Sequence, residues 1–208
     1  MGNSGKNHKP NSNAQRHKEA MRRKAKAEDE MAQLGLTLQS DLMAIGVILE
    51  YLTVSQLTYL GIISINEFCH KRVGVDFCIF YQHYSPPPVK LLCPLFEIHK
   101  LSEWHHPVLA TSIQTCLEAL DYNIPIIFFY AIDPDFIGEH NLPSNDLQRA
   151  YCDPRVRIIA RHEDHRRLIE TEFDIKVCGI IPDFDAEKII ELIAKETNHV
   201  ADPTHQNE

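Results

Sequence analysis

The chain has 208 residues, of which 44% are hydrophobic and 24% charged, the composition of a globular protein large enough for one sizeable core. Its formal net charge of −8 excludes a generally basic nucleic-acid-binding protein. The charge is uneven: residues 1–27 hold eight Lys and Arg against one acid, Glu19, and so carry +7, which leaves −15 for residues 28–208. A basic segment on an acidic body bears on partners rather than on fold.

The first third of the chain predicts an arm followed by short helices. No apolar period runs through residues 1–35, so we expect a disordered basic arm there. Helical spacing of apolar residues predicts a helix over 40–52, and a second short helix is expected over 54–60. A capping box of Ser64 and Glu67 predicts a third helix that ends near residue 72. Residues 36–72 would thus form a helical segment packed on the body.

The apolar stretch 42–65 resembles a membrane span in length. Glu50 lies near its middle, where a charge costs about 2.5–3.5 kcal/mol on insertion. We therefore predict buried helices and no membrane association. The six cysteines form no CxxC pair and the N-terminus is polar, which together indicate free thiols in the cytoplasm.

Short apolar runs then alternate with helical periods. Strands are predicted over 75–81, 90–98, 107–110, 124–132, 156–160 and 175–181. Helices are predicted after a cap at Thr111 and Ser112, with Gln114 closing the box, and then over 144–151, 162–173 and 185–195. This alternation predicts one α/β domain over 73–196, a Rossmann-like, mainly parallel sheet with helices on both faces, followed by a flexible tail over 197–208.

Ligands of such sheets bind beyond the carboxyl ends of the strands, which selects the polar residues to consider. The candidates for catalysis are Asp133, Asp135 and His162, which could serve as general acid or base. The candidates for substrate binding are His83, Thr111, Ser112, Arg161 and His165, since an arginine and a helix start can hold an anion.

Two simpler explanations stand beside these roles. Asp133 and Asp135 flank Pro134, as in an ordinary turn, and the run from Arg161 to Arg167 is typical of a solvated first helical turn. A metal site of His162 and His165 with either aspartate is a further alternative, but we predict no metal. Glycine-rich nucleotide signatures and the G-x-S-x-G elbow are absent from the sequence.

The segments VDFCIFYQHYSPP, HPVLATSIQTCLEAL, IPIIFFYAIDPDF, VRIIARHEDHRRLIETEF and CGIIPDFDAEKIIEL resemble, in order, glycosyltransferase-like proteins of large tailed phages. The likeness covers about residues 65–192 and is to the acceptor-side half of a two-domain GT-B enzyme. It implies a nucleotide sugar as donor, no further cofactor, and a cleft between two domains lined by Thr111, Ser112, Asp133, Arg161 and His162. The related sequences often carry Ser where this chain has His162.

Two functions follow as expectations. The first is a glycosyltransferase-like protein that transfers or binds a sugar, with a sugar or glycosylated acceptor as partner. Because only fifteen residues follow Ile193, the donor-binding half would be absent or supplied by a second Rossmann-like chain. The second is a non-catalytic phage module that docks to an acidic partner or nucleic acid through residues 1–27. Either would work in the cytoplasm, the host's if the chain is phage-encoded.

Overall fold

The computed structural model describes residues 43–52, 56–71, 75–87, 89–131 and 144–201. Within these ranges, seven parallel strands form one sheet in the order β3-β2-β1-β4-β5-β6-β7. The strands are β1 (Met43–Tyr51), β2 (Val75–His83), β3 (Leu95–Glu97), β4 (Val108–Ala110), β5 (Ile127–Ala131), β6 (Val156–Ala160) and β7 (Gly179–Ile180). The Rossmann-like α/β fold expected from the alternating pattern is thus confirmed.

Five helices surround the sheet in the described part of the chain: α1 (Gln56–Lys71), α2 (Ile113–Asp121), α3 (Ser144–Cys152), α4 (Glu163–Phe173) and α5 (Ala186–Ala201). Ile62 of α1 and Ile189 of α5 belong to the core on one face, whereas Leu117 of α2, Tyr151 of α3 and Ile169 of α4 belong to the core on the other. A short 3₁₀ helix, Ile98–Glu103, follows β3, and another, Pro182–Phe184, follows β7. The sheet is therefore covered on both faces.

The predicted helix over 40–52 is wrong, because residues 43–51 form β1 in the middle of the sheet. Val47 faces one core and Ile48 the other, both fully buried, so the apolar run is continuous because both faces are covered. Gly46 permits close packing, since a Cβ there would lie 2.9 Å from the Phe80 ring. The α/β body consequently begins at β1 and not at residue 73.

The two short helices predicted over 54–72 are one helix, α1, which continues through Gly61. A Cβ at Gly61 would lie 3.3 Å from the Phe184 ring, so the glycine serves packing rather than helix termination. Ser64 is not a cap either, because its Oγ accepts a hydrogen bond from the Ala186 N–H at 2.9 Å. This bond ties α1 to the start of α5.

The remaining predicted elements are confirmed with shorter or shifted ends. The strand predicted over 90–98 is limited to Leu95–Glu97, and that over 175–181 to Gly179–Ile180. The last helix continues to Ala201, so the predicted tail overlaps it. The predicted arm over 1–35 and the final residues 202–208 lie outside the described residues.

Candidate functional site

The strand order reverses between β1 and β4. From β1 the chain passes to β2 and β3 on one side, and from β4 it passes to β5, β6 and β7 on the other. In open parallel sheets, this reversal opens a crevice at the carboxyl ends of the two central strands, where ligands bind. Leu52 follows β1 and Thr111 follows β4, so the crevice lies between these two positions.

Thr111 and Ser112 are fixed at this crevice by a closed set of hydrogen bonds. The Thr111 hydroxyl donates to the Ile48 carbonyl at 2.9 Å, which ties β4 to β1. The Thr115 hydroxyl oxygen accepts from the N–H groups of Thr111 and Ser112 at 3.0 and 2.9 Å. Ser112 Oγ accepts from the Thr115 N–H, so the capping box is Ser112 with Thr115, and the predicted box of Thr111 with Gln114 is wrong.

A small cleft of about 230 Å³, counted with its open mouth, lies beside this network. Its lining is apolar except for two threonines: Val47, Leu49, Thr58, Gly61, Ile62, Ile65, Thr111 and Phe184. Phe184 has the left-handed φ of 55°, rare for a bulky residue, and its N–H donates to the Tyr130 hydroxyl at 3.1 Å. The crevice floor therefore offers apolar contact and little polar chemistry.

The carboxyl end of β6 carries a basic region made of Arg161, His162 and His165, and Asp183, which follows β7, lies beside it. Arg161 Nη2 lies 3.5 Å from Asp183 Oδ1, while its buried Nε has no hydrogen-bond partner among the described residues. The ring centroids of His162 and His165 are 5.3 Å apart, and the buried Nδ1 of His165 is likewise unpaired there. These two buried nitrogens, like the Nε of the adjacent Arg166, thus have no hydrogen-bond partner among the described residues, although such atoms normally form hydrogen bonds.

The acidic residues beside this basic region differ in how they are paired. Glu163 in the first turn of α4 forms ion pairs with Arg166 and, at 3.4 Å, with Arg167. Asp183 is largely exposed, and its carboxylate lies near the terminal Nη2 of the Arg161 guanidinium. Arg161 therefore has a single ion pair among the described residues, and its partner Asp183 is open to solvent.

The carboxyl ends of β1 and β2 form a different, aromatic region. Tyr51 and His83 are paired in register and their rings stack at 4.8 Å with an angle of 29°. Tyr84 meets Tyr81 edge to face at 5.6 Å. Partial desolvation raises the pKa of the Tyr81 phenol, and the Glu97 carboxylate raises it further.

The predicted site residues are therefore divided among three places. His83 joins Tyr51 rather than Thr111, since β2 and β4 lie on opposite sides of β1 and about 10 Å apart. Arg161, His162 and His165 lie together at the end of β6 next to β7, which we call the β6–β7 region. Thr111 and Ser112 lie at the central crevice. Asp133 and Asp135 lie outside the described residues, so their predicted role in catalysis stays a prediction.

The described ranges contain no cluster of metal ligands, and three of their cysteines are held as thiols. No group of three His, Cys, Asp or Glu side chains there could hold a metal ion, and the metal alternative needs an aspartate from outside them. Burial raises the pKa of Cys93, Cys116 and Cys178 to about 12, which leaves almost no thiolate at neutral pH. All six cysteines are free, and Cys152 is the exposed one.

No described helix has the length and apolar character needed to span a bilayer. The apolar stretch 42–65, which has the length of a membrane span, is divided between β1 and α1.

No family model, no curated protein and no solved structure matches this chain.

Tyr51, Tyr84 and Thr115 are not among the site residues predicted from the sequence, although Tyr84 follows a predicted strand. Tyr51 lay in a predicted helix, and its place beside His83 follows only from the strand order. For Tyr84 a signal existed, because YQHY puts two tyrosines and a histidine at the end of an apolar strand.

Proposed function

We propose that this chain is a glycosyltransferase-related domain whose own carboxyl edge binds the phosphates of a nucleotide sugar through Arg161 and His165, in the absence of the donor-binding half that a two-domain enzyme would supply. The observation that carries the proposal is the Arg161 side chain at the end of β6, whose ion pair with Asp183 is long, at 3.5 Å, and whose Nε, like the Nδ1 of His165, has no hydrogen-bond partner among the described residues. A guanidinium forms strong, directed hydrogen bonds to phosphate oxygens. The Rossmann-like sheet also agrees with the fold that the sequence resemblance implies.

The other edge residues have supporting roles in this proposal. The Thr111 and Ser112 hydroxyls are engaged within the protein, so they fix the start of α2 rather than reach for a ligand. Sugar transfer itself also requires a base that accepts the proton of the attacking hydroxyl. His162, Asp133 and Asp135 are the candidates, and His162 is exposed beside the proposed phosphate contacts.

Calorimetric titration of the full chain with UDP-glucose, ADP-glucose, GDP-mannose and dTDP-glucose tests the proposal. We expect saturable binding of at least one, weakened about tenfold by Arg161→Gln, because a charge-assisted hydrogen bond is lost. The matched control is Arg157→Gln on the same strand, since the Arg157 guanidinium donates to the Pro154 and Val156 carbonyls near the amino end of β6. No saturable binding, or equal losses in both variants, would refute the proposal.

The charge of residues 1–27 favours a second candidate, a binding module that docks to an acidic partner. The segment carries +7 on a chain whose remaining residues sum to −15. Deleting residues 1–27 should lower the salt concentration that elutes the protein from heparin, because fewer counterions are displaced. Unchanged elution would count against this candidate and leave the first one untouched.

A further inference from the structure

The ends of β1 and β2 carry aromatic side chains that the proposed nucleotide-sugar contacts do not use. We call Tyr51, Tyr81, His83 and Tyr84 the aromatic platform. Tyr51 is 49% exposed and Tyr84 64% exposed, among the largest values for apolar or aromatic residues in the described ranges. Clustered exposed aromatic surface of this kind is typical of binding sites.

The platform is held in place by the sheet. Val47 and Leu49 precede Tyr51 on the same face of β1, and both are buried. Tyr51 continues this row beyond the core, where it stacks on His83 of the neighbouring strand. Because both rings stand on paired strands, little conformational freedom is lost when a ligand covers them.

Charges near the platform discriminate between ligands. Glu97 is paired in register with Tyr81 and lies close enough to raise its pKa. Glu50 and the hydrogen-bonded pair of Gln82 and Glu118 lie on the opposite face of the sheet, because side chains alternate along β1 and β2. The Glu97 carboxylate on the platform's face, with Glu50 and Glu118 across the sheet, repels phosphates, so a nucleic acid or nucleotide is disfavoured. An uncharged sugar meets no such repulsion, presents an apolar C–H face to a ring, and has hydroxyls that donate to carboxylates.

We propose that the aromatic platform binds the ring of an uncharged saccharide, which packs against Tyr51 and Tyr84. The choice of a saccharide rests on the proposed function, which requires an acceptor sugar, but the residues are separate from Arg161 and His165. The Glu97 carboxylate, which is paired in register with Tyr81 and also lies 3.2 Å from His99 Nδ1, is the nearby group that would accept hydrogen bonds from its hydroxyls.

Solution NMR of the full chain, titrated with maltohexaose, cellohexaose, chitohexaose and mannohexaose, tests this inference. We expect saturable shifts of the Tyr51, His83 and Tyr84 ring signals with at least one of these uncharged oligosaccharides. Tyr51→Ala and Tyr84→Ala should each weaken that binding about tenfold, whereas Tyr51→Phe should retain it, since the ring remains. Tyr84 follows β2 and belongs to no strand, so its removal spares the sheet.

The control is Leu92→Ala, an exposed apolar residue that precedes β3 and lies away from the carboxyl edge. Absence of saturable shifts with all four oligosaccharides overturns the inference, and so does binding that both alanine variants retain. Saccharide binding that persists in Arg161→Gln, together with failure of all nucleotide sugars to bind, would refute only the proposed function. Loss of nucleotide-sugar binding in Tyr51→Ala at unchanged saccharide affinity would overturn the inference alone.

Discussion

At the ends of β1 and β2, the carboxyl edge presents aromatic rings among carboxylates, whereas at the ends of β6 and β7 it presents an arginine and two histidines. Both regions lie where parallel strands of the same sheet end. They differ in the charge of the ligand that their side chains would attract or repel. The first region would favour an uncharged ring over a phosphate, and the second would favour an anion. One sheet edge therefore offers two chemistries, separated by the crevice at Thr111.

The largest expected effect comes from Tyr130→Phe, which acts on the β6–β7 region. The buried Tyr130 hydroxyl donates to the Ile181 carbonyl at 2.8 Å and accepts from the Phe184 N–H, so it fixes the segment that carries Asp183. Its loss leaves two buried backbone groups unpaired and should lower the free energy of unfolding by about 2–4 kcal/mol. Urea unfolding measures this, and oligosaccharide binding at the platform should persist in the folded variant. If the free energy of unfolding falls by less than the measurement error, the segment that carries Asp183 is held by other contacts.

Gly46→Ala should perturb the β1–β2 region with the next largest effect. The new Cβ would lie 2.9 Å from the Phe80 ring and 3.1 Å from Trp104 Nε1, which should cost about 1–3 kcal/mol of unfolding free energy. Gly179→Ala is the matched control, because its Cβ would first meet the flexible end of the Leu192 side chain. Equal losses in the two variants would contradict our account of β1 packing.

Asp183→Asn should strengthen the anion preference of the β6–β7 region. The exposed Asp183 carboxylate competes for Arg161, and a surface pair of this kind is worth about 0–1 kcal/mol. Its neutralisation should therefore raise nucleotide-sugar affinity about two- to threefold in the calorimetric titration. Asp185→Asn is the control, since Asp185 pairs with Lys188 instead. Weaker binding in Asp183→Asn would mean that this carboxylate helps to position Arg161 or contacts the ligand.

The smallest effect is expected at the opposite edge, where Asp153 pairs with Arg155 before β6. Hydrogen bonds from the Arg155 side chain hold the pKa of Asp153 below its ordinary 3.8, against partial desolvation. Because the folded pKa is lowered, this stabilisation is present above pH 3.8 and is lost as the pH falls through the folded value. Asp153→Asn should cost about 0.5 kcal/mol at pH 6 and less as the pH drops, measured by urea midpoints. A stability difference between Asp153→Asn and the unchanged protein that grows as the pH falls would contradict this sign. Ligand binding should not change in the variant.

Most strands of the sheet could be predicted from continuous apolar runs in the sequence. The segments around 75–81, 124–132 and 156–160 are strands because both faces are covered, and their composition indicates this directly. The same argument applies to MAIGVILEY, but apolar residues at 42, 45, 49 and 52 also satisfy helical spacing. Only pairing with β2 and β4, which lie far along the chain, decides between the two structures.

The site could be predicted only in part for a related reason. Residues that follow predicted strands, such as Arg161 and His165, were found at the correct edge. Which of them meet depends on strand order, and local sequence patterns carry no information about that order. His83 was therefore grouped with Thr111, although it stacks on Tyr51.

The central position of β1 also has a consequence for synthesis. This strand is completed before either neighbour exists, since β2 ends at His83 and β4 at Ala110. Until then its apolar residues and backbone hydrogen-bonding groups remain open to other chains, as in segments prone to aggregation. A ribosome that stalls between residues 83 and 108 would release a fragment with one side of β1 unpaired, so we expect such fragments to be insoluble or bound to chaperones.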